Sequence, residues 1–146
     1  MQGRKKVKMK IVLDTNIFIS SFFWGGNPRL VVERIITGID ELYMSKEILD
    51  EIEDVMGRPK FHVDKDEINY FINLIEEIGN KIIPQKRIKN GSRDKNDNKY
   101  LECGITANAD YIISGDIHLL ELNEYNKIKI VTAKKYLEIV NPEKSR

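Results

Sequence analysis

The residues of this chain best suited to chemistry are acidic side chains at four separate places in the sequence. Asp14 ends the apolar run at 11–13, and Asp116 follows a second apolar run. Asp97 lies in a polar segment, and the stretch 46–56 supplies several more acids. Carboxylates gathered beyond the ends of parallel strands, where ligands bind, repel one another unless cations such as Mg²⁺ hold them. The pattern therefore predicts metal-assisted chemistry on a phosphate-containing substrate.

Three of these acids also have a purely structural explanation. Asp14 could cap the helix that follows it, Asp116 could be a simple turn residue, and a helix dipole would favour Asp97 without any metal. Thr15 and Asn16 place two more oxygen-bearing side chains directly after Asp14. A polar cluster emerging from an apolar strand is where a site is expected, so the sequence favours a functional role.

The choice of acid from the stretch 46–56 stays open on spacing alone. Glu51 flanks the apolar stripe of the predicted helix, but spacing does not distinguish it from Glu47 or Asp54. Asp94 precedes Asp97 by three residues. Asp94 is expected in the loop or at the helix cap, with Asp97 in the first helical turn.

The bulk composition is that of one globular domain. The chain has 146 residues, 41% of them hydrophobic and 32% charged, which suits a single core. Its apolar stretches are far shorter than the ~20 residues of a membrane span, and its basic start makes a poor signal peptide. The single cysteine, Cys103, excludes an intrachain disulfide and fits a reducing cytoplasm. We expect a basic N-terminal extension or cloning remnant at 1–8, one domain at 9–141 and a tail at 142–146.

Predicted strands alternate with predicted helices along the chain. This alternation favours a parallel sheet with helices on both faces and right-handed crossovers. Hydrophobic periodicity predicts strands at 10–13, 41–44, 82–83, 111–114 and 128–131, and helices at 17–23, 28–37, 46–56, 64–78, 97–107, 117–120 and 133–140.

Basic residues are concentrated in one segment, although the net charge is only +1. From Lys81 to Lys99 there are seven basic residues against two acidic ones, a local charge of +5. The segment is either a phosphate-attracting strip or a solvated loop that happens to be basic. Its candidate phosphate-binding residues are Lys86, Arg87, Lys89, Arg93, Lys95 and Lys99.

Four short motifs, taken in order, resemble the PIN-domain family and, within it, the toxins of toxin–antitoxin pairs. The resemblance extends over nearly the whole chain, from about residue 10 to residue 140. The motifs are Ile-Val-Leu-Asp-Thr-Asn at 11–16, Ser-Lys-Glu-Ile-Leu-Asp-Glu-Ile at 45–52, Arg-Asp-Lys-Asn-Asp-Asn-Lys at 93–99, and Ala-Asp-Tyr-Ile-Ile-Ser-Gly-Asp at 109–116 with Leu119-Leu120 after it.

The resemblance implies a Rossmann-like three-layer α/β/α sandwich with a mostly parallel central sheet. It also implies an endoribonuclease that depends on Mg²⁺ or Mn²⁺. Its acidic pocket maps onto Asp14, Glu51, Asp97 and Asp116 as catalytic residues and metal ligands, and this mapping selects Glu51. The supporting polar residues would be Thr15, Asn16, Asp94 and Ser114.

The same resemblance implies an RNA substrate, a cognate antitoxin protein and a homodimer, and it would make the basic strip an RNA-binding surface. One position departs from the family pattern, because similar sequences often carry a second acid where this chain has His118. Two other functions remain as alternatives. One is a Mg²⁺-binding phospho-acceptor signalling domain, and the other is an RNA-binding module with low activity.

Overall fold

The computed structural model describes residues 8–142. Within these residues the chain forms one mostly parallel sheet with the strand order β3-β2-β1-β4-β6-β5, in which only β5 is antiparallel to its neighbour. This architecture confirms the predicted α/β class. The strands are β1 (Met9–Leu13), β2 (Asp40–Met44), β3 (Gly79–Lys81), β4 (Tyr111–Ile113), β5 (Glu124–Tyr125) and β6 (Ile128–Val131).

Helices connect the parallel strands, as the alternating sequence pattern predicts. They are α1 (Thr15–Phe23), α2 (Gly26–Ile36), α3 (Lys46–Met56), α4 (Lys65–Ile78), α5 (Asn98–Ala107), α6 (Ile117–Leu120) and α7 (Ala133–Val140), with short 3₁₀ turns at Pro59–Phe61 and Lys95–Asp97. None of the helices described here is long and apolar enough to cross a membrane.

The centre of the sheet is fully covered on both faces. Ile11, Val12 and Leu13 of β1 are all inaccessible to solvent, as are Ile112 and Ile113 of β4. Short runs of branched apolar residues suit parallel strands that are buried on both sides. These buried strands therefore fix the positions of the residues that follow their carboxyl ends.

The strand order reverses between β1 and β4, and this reversal determines where a ligand would bind. The chain proceeds outward from β1 through β2 to β3, then returns to the other side of β1 and proceeds outward through β4. Open α/β sheets bind ligands in the crevice at such a switch point. Asp14 follows β1, and the segment Ser114 to Asp116 follows β4, so both strand-end acids flank this crevice.

Side-chain caps set the starts of the helices that leave this edge of the sheet. Asp14 accepts the backbone N–H of Ile17, and Ser45 accepts that of Ile48. The Thr132 side chain likewise accepts the backbone N–H of Lys135 and caps α7. Because Asp14 is itself the cap, α1 begins at Thr15, two residues before the predicted start.

The sequence reasoning misplaced one strand and missed another. The predicted strand at 82–83 is instead β3 at Gly79–Lys81, and Ile83 is 80% exposed. The two-residue strand β5 follows no sequence signal that we identified. Of the expected N-terminal extension only residue 8 is described, and 143–146 of the expected tail lie outside the described residues.

Candidate active site

Asp14 is a buried carboxylate at the end of the central strand. It is 3% exposed, and its oxygens accept hydrogen bonds from the Ser114 hydroxyl and from the backbone N–H groups of Ile17 and Gly115. Burial raises the pKa of Asp14 in spite of these hydrogen bonds, and the charge of Asp116 raises it further. The cap explanation and the site explanation therefore apply to the same side chain.

Ser114 joins the two strand-end acids. Its hydroxyl donates to Asp14 Oδ2 and accepts the backbone N–H of Asp116 at 2.9 Å, and the side chain is fully buried. Asp116 Oδ1 accepts the backbone N–H of His118 at 2.7 Å and so caps α6. The single hydroxyl thus connects the Asp14 carboxylate with the Asp116 backbone at the same crevice, and the supporting role expected for Ser114 stays a prediction.

Asp97 approaches the strand-end acids from the start of α5. Burial raises the pKa of Asp97 to about 7, and the charges of Asp116, Asp94 and Asp14 add to the rise. Asp97 Oδ2 is 3.4 Å from the Ser92 hydroxyl, which also accepts the backbone N–H of Asp94 at 3.3 Å. The charges of these three carboxylates therefore act on Asp97, although burial is the larger effect.

Glu51 is the acid that α3 contributes. Its Oε1 atom accepts from the Tyr100 hydroxyl at 2.7 Å, from Lys99 Nζ at 3.0 Å and from the Thr15 hydroxyl at 3.1 Å. Burial alone would raise the pKa of Glu51, but the hydrogen bonds from Tyr100, Lys99 and Thr15 outweigh it and lower that pKa. Glu51 is therefore held in its charged form. We refer to Asp14, Glu51, Asp97 and Asp116 together as the acidic pocket.

Tyr100 is a site residue that the sequence reasoning missed. Its hydroxyl accepts the backbone N–H of Thr15 at 3.0 Å and lies 2.7 Å from both Glu51 Oε1 and the Thr15 hydroxyl. It thus connects α1, α3 and α5. The sequence feature that could have identified Tyr100 is its position three residues after Asp97, because residues three apart lie on the same side of a helix. Asn16, expected to support the pocket, is exposed on the first turn of α1.

The basic strip is partly neutralised by distant carboxylates. Arg87 Nη1 contacts Glu47 at 2.8 Å and Glu102 at 2.9 Å, and Arg93 contacts Glu121 at 3.2 Å. Lys81 is paired with Glu76 at 2.9 Å, and Lys99 is paired with Glu51. The other three lysines of the strip are exposed and form no ion pair within residues 8–142, namely Lys86, Lys89 and Lys95.

The pocket fits a divalent cation by its chemistry and charge. Carboxylates supply the oxygen ligands that Mg²⁺ and Mn²⁺ accept, and a cation would relieve the repulsion that raises the pKa of Asp97. The side chains are turned toward hydrogen-bond donors, however, and within residues 8–142 no three His, Cys, Asp or Glu residues form a ready-made metal site. Binding an ion therefore requires these carboxylates to turn from their present partners.

The fold and the site define an open-sheet α/β domain with an acidic pocket at its switch point. The chain belongs to the PIN domain family, whose sequence profile matches residues 10–118 and so includes all four acids of the pocket. This confirms the resemblance drawn from the sequence motifs. PIN domains are generally nucleases.

Two individual proteins show how far the similarity extends. The chain is 30% identical over 152 residues to the uncharacterized protein MJ1680 of Methanocaldococcus jannaschii, covering 94% of this chain and 96% of that protein. Among solved structures, it resembles a chain of VapBC2 from Rickettsia felis bound to a DNA fragment from their promoter. The TM-score is 0.58 at 14% identity, covering 84% of this chain and 97% of that chain, and this likeness concerns the fold.

Proposed function

We propose that the protein is an endoribonuclease that depends on Mg²⁺ or Mn²⁺ and hydrolyses RNA phosphodiester bonds in the acidic pocket. The observation that carries the proposal is that acids from separate segments flank the switch point of the sheet, where burial and then the charges of Asp116, Asp94 and Asp14 raise the pKa of Asp97 to about 7. A cluster of like charges at a sheet switch point is costly for folding alone. It is useful when a cation and a phosphate are to be bound there.

Each acid has a distinct part in this proposal. Asp14 and Asp116 are the direct metal ligands, and Glu51 and Asp97 bind the metal or orient its waters. A bound Mg²⁺ or Mn²⁺ would supply an activated water and stabilise negative charge on the departing 3′ oxygen. Ser114 fixes the orientation of Asp14 through its hydroxyl.

No side-chain nucleophile is required. Cys103, the one thiol of the chain, is fully buried, and burial raises its pKa to about 12, so it is not available as a thiolate. The exposed lysines Lys86, Lys89 and Lys95 would contact the RNA backbone, a contact that does not depend on sequence. Arg87 and Arg93 would reach phosphate only by exchanging their present carboxylate partners.

RNA cleavage by the purified protein tests the proposal. We expect cleavage of labelled RNA with Mn²⁺ or Mg²⁺, none in excess EDTA, and none with Asp14→Asn or Asp116→Asn. The matched control is Asp50→Asn, because Asp50 is an exposed acid on α3 whose charge is paired with Lys46 at 2.8 Å. Equal cleavage by wild type and Asp14→Asn, or full cleavage in EDTA, would contradict the proposal.

The same assay separates this proposal from an RNA-binding module of low activity. The side chains of the pocket hydrogen-bond to protein groups rather than framing a ready-made ion site, and this observation favours the binding module. Fluorescence anisotropy of labelled RNA measures binding independently of cleavage. Binding that is insensitive to Mn²⁺, without cleavage at any Mn²⁺ concentration, would favour the binding module.

We further propose that the protein acts in the cytoplasm as the toxin of a toxin–antitoxin pair and forms a homodimer. The fold likeness to VapBC2 supports this assignment. Exposed apolar side chains offer surface for a partner, among them Trp24, Leu30 and Ile39. Expression in a bacterial host should arrest growth, and Asp14→Asn should abolish the arrest. Unimpaired growth with soluble wild-type protein would contradict the toxin role, and a monomer by light scattering would contradict the dimer.

A further inference from the structure

Lys99 differs from the other basic side chains of its segment because its ammonium group lies against the acidic pocket. Its Nζ atom is 3.0 Å from Glu51 Oε1 and also donates to the backbone carbonyl of Asn96. The ammonium group lies over the Tyr100 ring, 5.1 Å from its centroid. The Lys99 side chain is 15% exposed, whereas Lys95 one turn earlier is exposed. Contacts with the protein therefore hold this charge in place.

The ammonium group acts on two acids of the pocket at once. It helps to lower the pKa of Glu51 against the effect of burial, and it opposes the rise that burial and the neighbouring carboxylates cause in the pKa of Asp97. Lys99 is thus a positive charge between acids that come from two different helices. A divalent cation in the same pocket would likewise place positive charge between these acids.

We propose that Lys99 is the resident cation of the metal-free pocket and that it competes with the divalent cation for Glu51. This inference rests on the metal dependence proposed above. Before metal binds, Lys99 compensates part of the carboxylate charge and holds Glu51 in one orientation. When metal binds, the ammonium group either leaves Glu51 or remains and repels the ion. Lys99 is therefore a positioning residue that sets the metal concentration at which the pocket fills.

Removal of the charge should tighten metal binding. A unit charge within ~10 Å of a divalent ion in a half-buried site is only partly screened by solvent and salt. We expect Lys99→Met to lower the dissociation constant for Mn²⁺ about tenfold. Lys99→Arg keeps the positive charge and should remain within about twofold of wild type, because the competition depends chiefly on charge.

Isothermal titration of the RNA-free protein with Mn²⁺ at fixed ionic strength measures this difference without any activity assay. Lys95→Met is the matched control, because it removes the same charge from an exposed side chain of the same segment. Its affinity for Mn²⁺ should stay within about twofold of wild type. Circular dichroism before each titration establishes that the variants are folded.

The possible outcomes separate this inference from the proposed function. Unchanged or weaker Mn²⁺ binding by folded Lys99→Met overturns the inference and leaves the nuclease proposal intact. An equal gain in affinity for Lys95→Met also overturns it, because the effect would then be general electrostatics. Absence of Mn²⁺ binding by the wild type overturns the metal-dependent function, and the competition with it.

A measurement on the wild type keeps the inference testable if Lys99→Met does not fold. The ¹⁵N-labelled ammonium group of Lys99 should give a distinct nuclear magnetic resonance signal, which Lys99→Arg would assign by removing it. Titration with diamagnetic Mg²⁺ should shift or broaden this signal at the concentrations that load the pocket. A signal that is unmoved while the backbone of Asp14 and Asp116 responds to Mg²⁺ overturns the competition.

Discussion

Two buried aspartates on neighbouring strands have opposite electrostatic surroundings. Asp14 follows the carboxyl end of β1, whereas Asp40 begins β2 at the other edge of the sheet, and each is 3% exposed. Asp40 accepts from Arg34 at 2.8 and 3.3 Å and from the Tyr136 hydroxyl at 2.8 Å. Asp14 accepts only from a hydroxyl and backbone N–H groups, and the charge of Asp116 acts against it.

The contrast distinguishes Asp40, a buried charge that stabilises the fold, from Asp14, a buried charge that does not. The hydrogen bond to Asp40 raises the pKa of Arg34, and the ion pair joins α2 and β2. Tyr136 adds α7 to the same group. At the acidic pocket, Lys99 is the one basic side chain within residues 8–142 that forms an ion pair with any of the four acids, and it compensates only part of their charge. We therefore expect substitutions in the acidic pocket to reduce cleavage without reducing stability, and substitutions at Asp40 to reduce stability without reducing cleavage.

Asp14→Asn should give the largest effect, and it should be an effect on cleavage. Loss of one carboxylate ligand should slow metal-assisted hydrolysis by roughly 10³-fold or more, equivalent to about 4 kcal/mol in the barrier. The free energy of unfolding in the absence of metal should stay the same or rise, because a repelling charge is removed while an oxygen remains to accept from Ser114 and Ile17. Single-turnover cleavage and urea unfolding measure the two quantities. A variant that loses stability together with activity would contradict the contrast.

Asp40→Asn should do the reverse and destabilise the fold. It leaves the Arg34 guanidinium largely buried without its counter-charge, and breaking one side of such a pair costs about 3–5 kcal/mol. Cleavage per folded molecule should be unchanged, because Asp40 lies at the opposite edge of the sheet. Asp50→Asn is the matched control, since its surface pair with Lys46 should contribute no more than about 0.5 kcal/mol. Near wild-type stability of Asp40→Asn would show that the pair is not structural.

Tyr136→Phe tests the third member of the same group. The substitution removes only the hydroxyl that donates to Asp40 and leaves the Arg34 contact in place. A hydrogen bond to a charged group contributes about 1.5–3 kcal/mol, so we expect a loss of about that size in the free energy of unfolding. Urea unfolding measures this loss. If the free energy of unfolding falls as much as in Asp40→Asn, the Tyr136 hydroxyl contributes more to stability than the ion pair does.

The sequence predicts the acidic pocket better than the Asp40 group for a physical reason. Asp14 directly follows an apolar run, and Asp116 follows another after two residues, so the ends of the strands place both at one edge of the sheet before any side-chain detail is known. The Asp40 group depends on α2 and α7 packing beside β2, and Tyr136 lies 96 residues further along the chain. Local periodicity carries no information about such a contact.

The misplaced strand at 82–83 and the ion pairs of the basic strip also depend on contacts that local sequence patterns do not predict. The run at 82–83 has the β-branched character of a strand, yet the ladder to β2 forms at Gly79–Lys81. A Cβ atom at position 79 would meet the side chains of Leu42 and Met44, so glycine allows the close pairing there without displacing them. In the basic strip, the sequence gives the charge count but not the ion pairs, because the partners of Arg87 lie 40 and 15 residues away.

The dependence of stability on pH distinguishes a buried charge that destabilises the fold from one that supports it. Asp97 has a pKa near 7 in the folded protein against 3.8 for the ordinary side chain. Between those values the folded state keeps a proton that the unfolded state has lost. Its contribution to stability is therefore complete below about pH 4 and is lost as the pH rises toward 7.

Asp97→Asn should remove the contribution of Asp97 to the dependence of stability on pH. The metal-free variant should therefore lose less stability than wild type between pH 5 and pH 8. Mn²⁺ should reverse part of the loss in wild type, because the cation favours the charged carboxylate, and should do less in the variant. Thermal unfolding at several pH values, with EDTA or Mn²⁺, measures both effects, with Asp50→Asn as the exposed control. Parallel pH profiles for wild type and Asp97→Asn would mean that the folded protein does not hold this proton near neutral pH. The acids of the pocket would then repel one another too weakly to require a cation.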